Sequence, residues 1–121
     1  MIKKHIVSFK NASAGLWWAI TTGNNYKIHL FLSTLSIVGG IFFRISYFEF
    51  LIIATFIILG LTVEMINTAL EETANAIDQS KRQDIRIAKD VSAAAMLIFS
   101  LGAFIVAGII FVPKILLFLN I

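Results

Sequence analysis

The sequence predicts an all-α membrane protein in which an interfacial amphipathic helix precedes three transmembrane helices. The 121 residues are 59% hydrophobic and only 14% charged, and the mean hydropathy is +0.90. So few polar side chains cannot cover a water-soluble globule of this size. The apolar residues fall into three long runs, and at this length residues 1–121 are expected to form a single domain. The absence of cysteine excludes a disulfide framework and a cysteine-based metal centre.

Residues 1–22 are expected to form the interfacial helix. Apolar side chains recur there near helical spacing with lysines between them, which is typical of a helix lying along a membrane surface. Trp17 and Trp18 suit the headgroup layer, where amphipathic rings are favoured. Glycine and asparagine tolerate the backbone conformations that end helices, so the segment 23–25 is predicted to be a turn.

The three apolar runs are the predicted membrane spans, at residues 28–46, 48–78 and 86–119. With its flanks, each run can cross about 30 Å of hydrocarbon at about 1.5 Å per residue. Pro113 and Lys114 in the third run mark a kink or the emergence of the chain into water.

Lysine and arginine positions predict the orientation. Four precede the first span, four lie between the apolar parts of the second and third, and two belong to the opposite side. Because loops rich in lysine and arginine usually stay on the cytoplasmic side of the membrane, the N-terminus is expected in the cytoplasm and the C-terminus outside. The net charge of +3 is then explained by attraction to the anionic lipids of the inner leaflet, and no nucleic-acid partner is expected.

Polar side chains follow one face of the second span at helical spacing: Glu64, Asn67, Thr68, Glu71 and Asn75. An ionisable group at membrane depth costs about 2.5 to 3.5 kcal/mol on insertion scales and usually faces a bundle interior. Glu64 directly follows an apolar run, so a functional role is favoured for it. For Glu72 and Asp78 the alternative is favoured, that the helix has already emerged into the cytoplasm.

A second polar cluster, comprising Arg86, Lys89 and Asp90, opens the third span. By itself it resembles a solvated helix start. A short loop, however, makes the second and third helices antiparallel neighbours, so carboxylates that can hold a divalent cation lie near cations that can hold phosphate. This combination suits phosphoryl transfer, although the usual nucleotide-binding motifs are absent. His5 and His29 are isolated and are expected to be packing or interface residues.

The motifs then resemble a known family. Residues 64–71 read EMINTALE, residues 88–90 read AKD, and 17 residues separate Glu71 from Lys89. With three spans of these lengths, the pattern closely resembles the small prokaryotic diacylglycerol kinase family over almost the whole chain. SFKNA at 8–12 and YKIH at 26–29 look like the branch found in Gram-positive and related bacteria, whose members often phosphorylate undecaprenol.

The resemblance implies a multi-pass homotrimer of the bacterial cytoplasmic membrane with active sites shared between subunits. Its members transfer the γ-phosphate of ATP to a lipid hydroxyl with Mg²⁺ as cofactor. Carried onto this chain, Glu64 matches the general base and Asn67 an active-site polar group. Glu71 matches a magnesium ligand, and Lys89 with Asp90 the pair that contacts the nucleotide.

Two positions depart from the family pattern. Gly23 stands where the family usually has a glutamate that binds magnesium, and Asn75 stands where it usually has an aspartate. Asn24, Asn25 and Glu72 are alternative oxygen donors that would compensate. We therefore expect a weaker affinity for magnesium–ATP than in relatives that carry the glutamate.

Two other functions remain as alternatives to the lipid kinase. A small proton- or cation-coupled transporter would explain a carboxylate in the membrane, but it would not explain the spacing of the two polar clusters. A catalytically inactive member of the family, kept as an assembly partner, would explain Gly23 and Asn75.

Overall fold

The computed structural model describes residues 1–77 and 82–121, which form four α-helices. These are α1 (Ile2–Thr22), α2 (Asn24–Phe42), α3 (Tyr47–Ile77) and α4 (Gln83–Phe118). The prediction of an all-α membrane protein is confirmed. In the described part of the chain, α3 and α4 are the two helices whose length and composition meet the requirements of a membrane span, so a third span in α2 stays a prediction.

The joint between α1 and α2 is shorter than the expected turn at 23–25. Gly23 alone separates the helices, in an extended conformation with φ −82° and ψ 111°. Its N–H donates to the carbonyl of Ala19 at 2.9 Å, and its own carbonyl accepts from Lys27 at 3.3 Å. Because one residue both closes α1 and starts α2, Asn24 and Asn25 are already helical.

The α1 helix packs lightly against the rest of the molecule. Ala19 is its buried residue, while Trp17 is 69% exposed. The exposed apolar side chains of α1 alternate with lysines, as expected for a helix whose apolar face meets something other than its own chain.

The α2 helix ends at Phe42, four residues before the predicted end of its span at residue 46. The N–H of Arg44 donates to the carbonyl of Ile41 at 3.2 Å, and the N–H of Ile45 donates to that of Gly40 at 3.0 Å. These are the two hydrogen bonds of a Schellman motif. Arg44 takes the left-handed position with φ 52°, which turns the chain toward α3.

The α3 helix begins with a capping box formed by Ser46 and Glu49. The Ser46 N–H donates to Glu49 Oε2 at 2.6 Å, and the Glu49 N–H donates to Ser46 Oγ at 3.2 Å. Lys114 Nζ of α4 donates to Glu49 Oε1 at 2.8 Å. The start of α3 is thus tied both to its own backbone and to α4.

The core lies between α2, α3 and α4. Its buried centre is formed by Ile45, Ile53 and Ile110. Two turns after Ile53 on α3, Gly60 permits close packing of α4, because a Cβ at this position would lie 2.7 Å from the ring of Phe99. Most other apolar side chains of these helices are exposed, which is the distribution expected for helices surrounded by lipid.

The α4 helix starts earlier than the predicted span at 86–119. It begins at Gln83, directly after Arg82 in an extended conformation. The Asp84 carboxylate accepts from the Arg82 guanidinium at 2.7 Å and lies in the first turn, where a negative charge is favoured by the helix dipole. The helix continues through Pro113, while the predicted end of the second span at Asp78 lies outside the described residues.

Candidate active site

The polar face of α3 is turned toward the protein. Glu64 is 3% exposed and Asn67 is 6% exposed, although many large apolar residues of the same helix are open. Ser92 of α4 is the third buried polar side chain, at 7% exposure. A membrane helix that buries polar groups and exposes apolar ones points those polar groups at a bundle interior.

Asn67 is held by α4. Ser92 Oγ donates to Asn67 Oδ1 at 2.7 Å, and this bond joins the two helices in the buried layer beside Glu64. Ser92 was not among the site residues predicted from the sequence. The signal that could have indicated it is its position in a run of small residues, one turn after Lys89, where a hydroxyl can face a neighbouring helix.

Glu64 faces α2. Its Oε2 lies 3.8 Å from Nε2 of His29, whose side chain is 19% exposed. This separation is too long for a hydrogen bond, so the carboxylate is approached by the imidazole without being fixed by it. His29 was expected to be a packing or interface residue, and its place beside Glu64 arises from tertiary packing. Tyr26, one turn earlier on α2, is buried as well.

A second link between α3 and α4 lies closer to their connected ends. Lys89 Nζ donates to Asn75 Oδ1 at 3.1 Å. Asn75 is therefore the residue that positions Lys89. An amide leaves the full positive charge of the lysine available, whereas an aspartate would neutralise part of it.

The remaining predicted site residues differ in exposure. Glu71 is half-buried, while Glu72, Arg86 and Asp90 are exposed. Near the proposed site, two hydrogen bonds join α3 and α4, Asn67 with Ser92 and Asn75 with Lys89. Arg86 and Asp90 lie on the open side of α4, where a ligand in solution can reach them.

The donor set for a divalent cation is small. Within residues 1–77 and 82–121, no three histidine or acidic side chains are gathered as a ready metal site. Glu71 offers a half-buried carboxylate and Asn25 an exposed amide, while the side chain of Asn24 lies outside the described part. Mg²⁺ is usually held by one or two carboxylates together with substrate phosphates and water, so this set fits an ion that arrives with a nucleotide.

Gly23, where the resemblance suggested a glutamate in other members, is closely packed. A Cβ at this position would lie 2.7 Å from the carbonyl oxygen of Ala19 and 3.4 Å from Cβ of Tyr26. Backbone oxygen cannot move away as a flexible side chain can. A glutamate would therefore require the joint between α1 and α2 to shift.

Comparison with known proteins identifies the family. The sequence pattern described as prokaryotic diacylglycerol kinase matches residues 10–111. The chain belongs to the prokaryotic diacylglycerol kinase family. It is 32% identical over 112 residues to a diacylglycerol kinase of Synechocystis sp., a match that covers 92% of this chain and 64% of that protein. It is 29% identical over 115 residues to an undecaprenol kinase of Bacillus subtilis, covering 93% of this chain and 92% of that protein.

The family and both relatives carry the names of lipid kinases. One relative is named for diacylglycerol and the other for undecaprenol. The chain spans less than two thirds of the Synechocystis protein but nearly the whole of the Bacillus protein.

Proposed function

We propose that this protein transfers the γ-phosphate of ATP to the hydroxyl of a membrane lipid alcohol, with undecaprenol favoured over diacylglycerol. The burial of Glu64 beside Asn67, in a helix whose apolar side chains are open, is the observation that carries the proposal. The preference for undecaprenol rests on the sequence likeness of residues 8–12 and 26–29 and on the matching length of the Bacillus relative.

Glu64 is the proposed general base. The lipid oxygen attacks the γ-phosphorus, the bond from that phosphorus to the oxygen of ADP breaks, and the alcohol proton passes to the Glu64 carboxylate. A base of this kind must be within hydrogen-bond reach of the proton. At 3.8 Å from Oε2, the His29 imidazole does not form a hydrogen bond with the carboxylate and so does not compete with the lipid hydroxyl for that oxygen. Asn67, fixed by Ser92, is placed to orient the reacting groups.

Lys89 is the proposed phosphate contact. Its ammonium group is oriented by Asn75 and offsets the charge of the phosphates, with Arg86 and Asp90 as further nucleotide contacts on the open side of α4. Glu71 is the proposed ligand of Mg²⁺, with Asn24, Asn25 and Glu72 as further candidates. When bound, the ion neutralises charge that develops on the phosphates.

The proposed assembly is a homotrimer that crosses the bacterial cytoplasmic membrane, with each chain forming a single domain. α2, α3 and α4 are the three spans, α1 lies at the cytoplasmic surface, and the active sites are shared between subunits. The large open apolar surface of these helices and the exposed tryptophans of α1 support this arrangement.

The test is phosphorylation by purified protein in detergent micelles with labelled ATP and each lipid in turn. We expect phosphate on undecaprenol, weaker labelling of diacylglycerol and no turnover without Mg²⁺. A protein that binds ATP and forms trimers but phosphorylates neither lipid would be an inactive family member. Proton flux into liposomes without ATP would instead indicate the transporter.

A further inference from the structure

A cleft of about 380 Å³ lies between α2, α3 and α4. Its volume falls within the range of roughly 300–1,000 Å³ that is usual for ligand sites. Aromatic and small residues form most of its wall, among them Phe99 and Ala103 of α4 and Gly60 of α3. The α2 side of the wall is formed in part by His29, Ser33 and Ser36.

The hydroxyls in the α2 wall are already occupied by the backbone. Ser33 Oγ donates to the carbonyl of His29 at 2.7 Å, and Ser36 Oγ donates to that of Leu32 at 2.9 Å. These hydrogen bonds leave the hydroxyl protons directed at α2 itself. The wall therefore presents a surface that is close to apolar, and it suits a hydrocarbon better than a polar ligand.

His29 connects the cleft to the proposed active site. It lines the cleft, and its Nε2 lies 3.8 Å from Glu64. A molecule that fills the cleft from the membrane can therefore bring a polar end to the buried carboxylate without leaving the apolar wall.

We propose that this cleft holds the hydrocarbon chain next to the hydroxyl of the lipid alcohol. His29 is then a positioning residue that holds the hydroxyl beside Glu64. The occupant is a single aliphatic chain, because most of the wall is apolar and His29 connects the cleft to the carboxylate that the hydroxyl must reach. The inference rests on the proposed kinase function and adds where the lipid binds.

Paired substitutions on α4 test the cleft. Ala103→Leu places a branched side chain in the cleft, and Gly102→Leu adds the same side chain one residue away, where a Cβ meets nothing within 4 Å. We expect Ala103→Leu to raise the KM for undecaprenol about tenfold or more while the KM for ATP stays unchanged. Gly102→Leu should match the wild type. Equal lipid KM values for the two variants would overturn the proposal.

A second pair on α2 covers the case in which Ala103→Leu does not fold. Ser36→Leu fills the cleft from the other side, and Thr34→Leu is its control, since Thr34 is exposed and also bonds its hydroxyl to the preceding turn. The lipid KM should rise for Ser36→Leu alone. A change in oligomeric state for Ser36→Leu, with Thr34→Leu trimeric, would show that a neighbouring copy covers the cleft and would overturn the proposal.

His29 is tested by its own substitutions. His29→Leu should raise the lipid KM and lower kcat, and His29→Gln should restore part of the lipid KM because it keeps a hydrogen-bonding group. His5→Leu changes the other histidine, which is exposed on α1, and should change neither constant. The proposal fails for His29 if His29→Leu keeps the wild-type lipid KM.

Photolabelling separates this inference from the kinase function. A diazirine-bearing farnesol, irradiated in micelles with the wild-type protein, should label the peptide around residues 100–107, and Ala103→Leu should lose the label. Labelling of the cleft without phosphorylation would refute the kinase function and leave the binding site. Phosphorylation with labelling confined to other surfaces would refute the binding site and leave the kinase.

Discussion

Two glutamates of α3 occupy opposite situations. Glu49 is at the start of the helix, its side chain is 24% exposed, and it accepts hydrogen bonds from its own backbone and from Lys114. Glu64 is 3% exposed, and among the described ion pairs its partner is His29 at 3.8 Å. The partners of the first carboxylate are a backbone N–H and a lysine at hydrogen-bond distance, whereas the second lies among His29, Asn25 and Thr68. The first position joins two helices, and the second is the position proposed for the general base.

The largest difference is expected in catalysis. Glu64→Gln keeps the shape of the side chain but removes the base, so kcat should fall about 10²- to 10⁴-fold in the micelle assay, with little change in thermal unfolding. Glu49→Gln is the matched control and should keep kcat. Full activity in Glu64→Gln would exclude it as the general base and remove the functional side of the comparison.

The second largest effect is expected for Lys89, near the proposed active site, in comparison with Lys114, which pairs with Glu49. Lys89→Met removes the proposed phosphate contact, and kcat/KM for ATP should fall about 10²-fold. Lys114→Met removes the partner of Glu49 and should leave this constant unchanged. Asn75→Leu should fall between them, since Lys89 then keeps its charge but loses its orienting hydrogen bond. If Lys89→Met and Lys114→Met reduce kcat/KM equally, the two lysines do not differ in function.

Magnesium dependence tests the expectation that Gly23 takes the place of a metal-binding glutamate. Half-saturation of activity is expected at a magnesium concentration at least about tenfold above that of relatives with a glutamate there, the lower end of the loss seen when metal sites lose a supporting group. The measurement is a magnesium titration at fixed ATP. Half-saturation equal to that of such relatives would show that another oxygen donor compensates.

The stabilising region should respond in unfolding experiments. Glu49→Gln weakens the bonds to Lys114 and to the Ser46 N–H, and we expect a lower free energy of unfolding. Thermal unfolding in micelles gives the comparison, with Glu72→Gln, an exposed acid on the same helix, as control. Equal unfolding temperatures for these two variants would mean that the capping box contributes nothing measurable.

The sequence predicted the features that depend on the cost of burying charge. Apolar runs indicated the helices, and the position of Glu64 directly after such a run indicated that it faces protein. The partners of these residues could not be predicted, because they come from elements distant in sequence. His29 reaches Glu64 from α2, Ser92 reaches Asn67 from α4, and neither pairing has a local pattern that marks it.

The smallest expected effect concerns the end of α2. Arg44 adopts φ 52°, a left-handed conformation that glycine adopts without steric cost. The residue at this position is an arginine, which does not indicate a turn in the sequence. Relief of this steric cost in Arg44→Gly should stabilise the protein by about 0.5–1 kcal/mol. The backbone entropy that glycine loses on folding should reduce this gain. Asn120 holds the same position after α4 with φ 55°. Because asparagine tolerates this region, Asn120→Gly should gain less, and a larger gain for Asn120→Gly than for Arg44→Gly in thermal unfolding would contradict backbone strain as the cause.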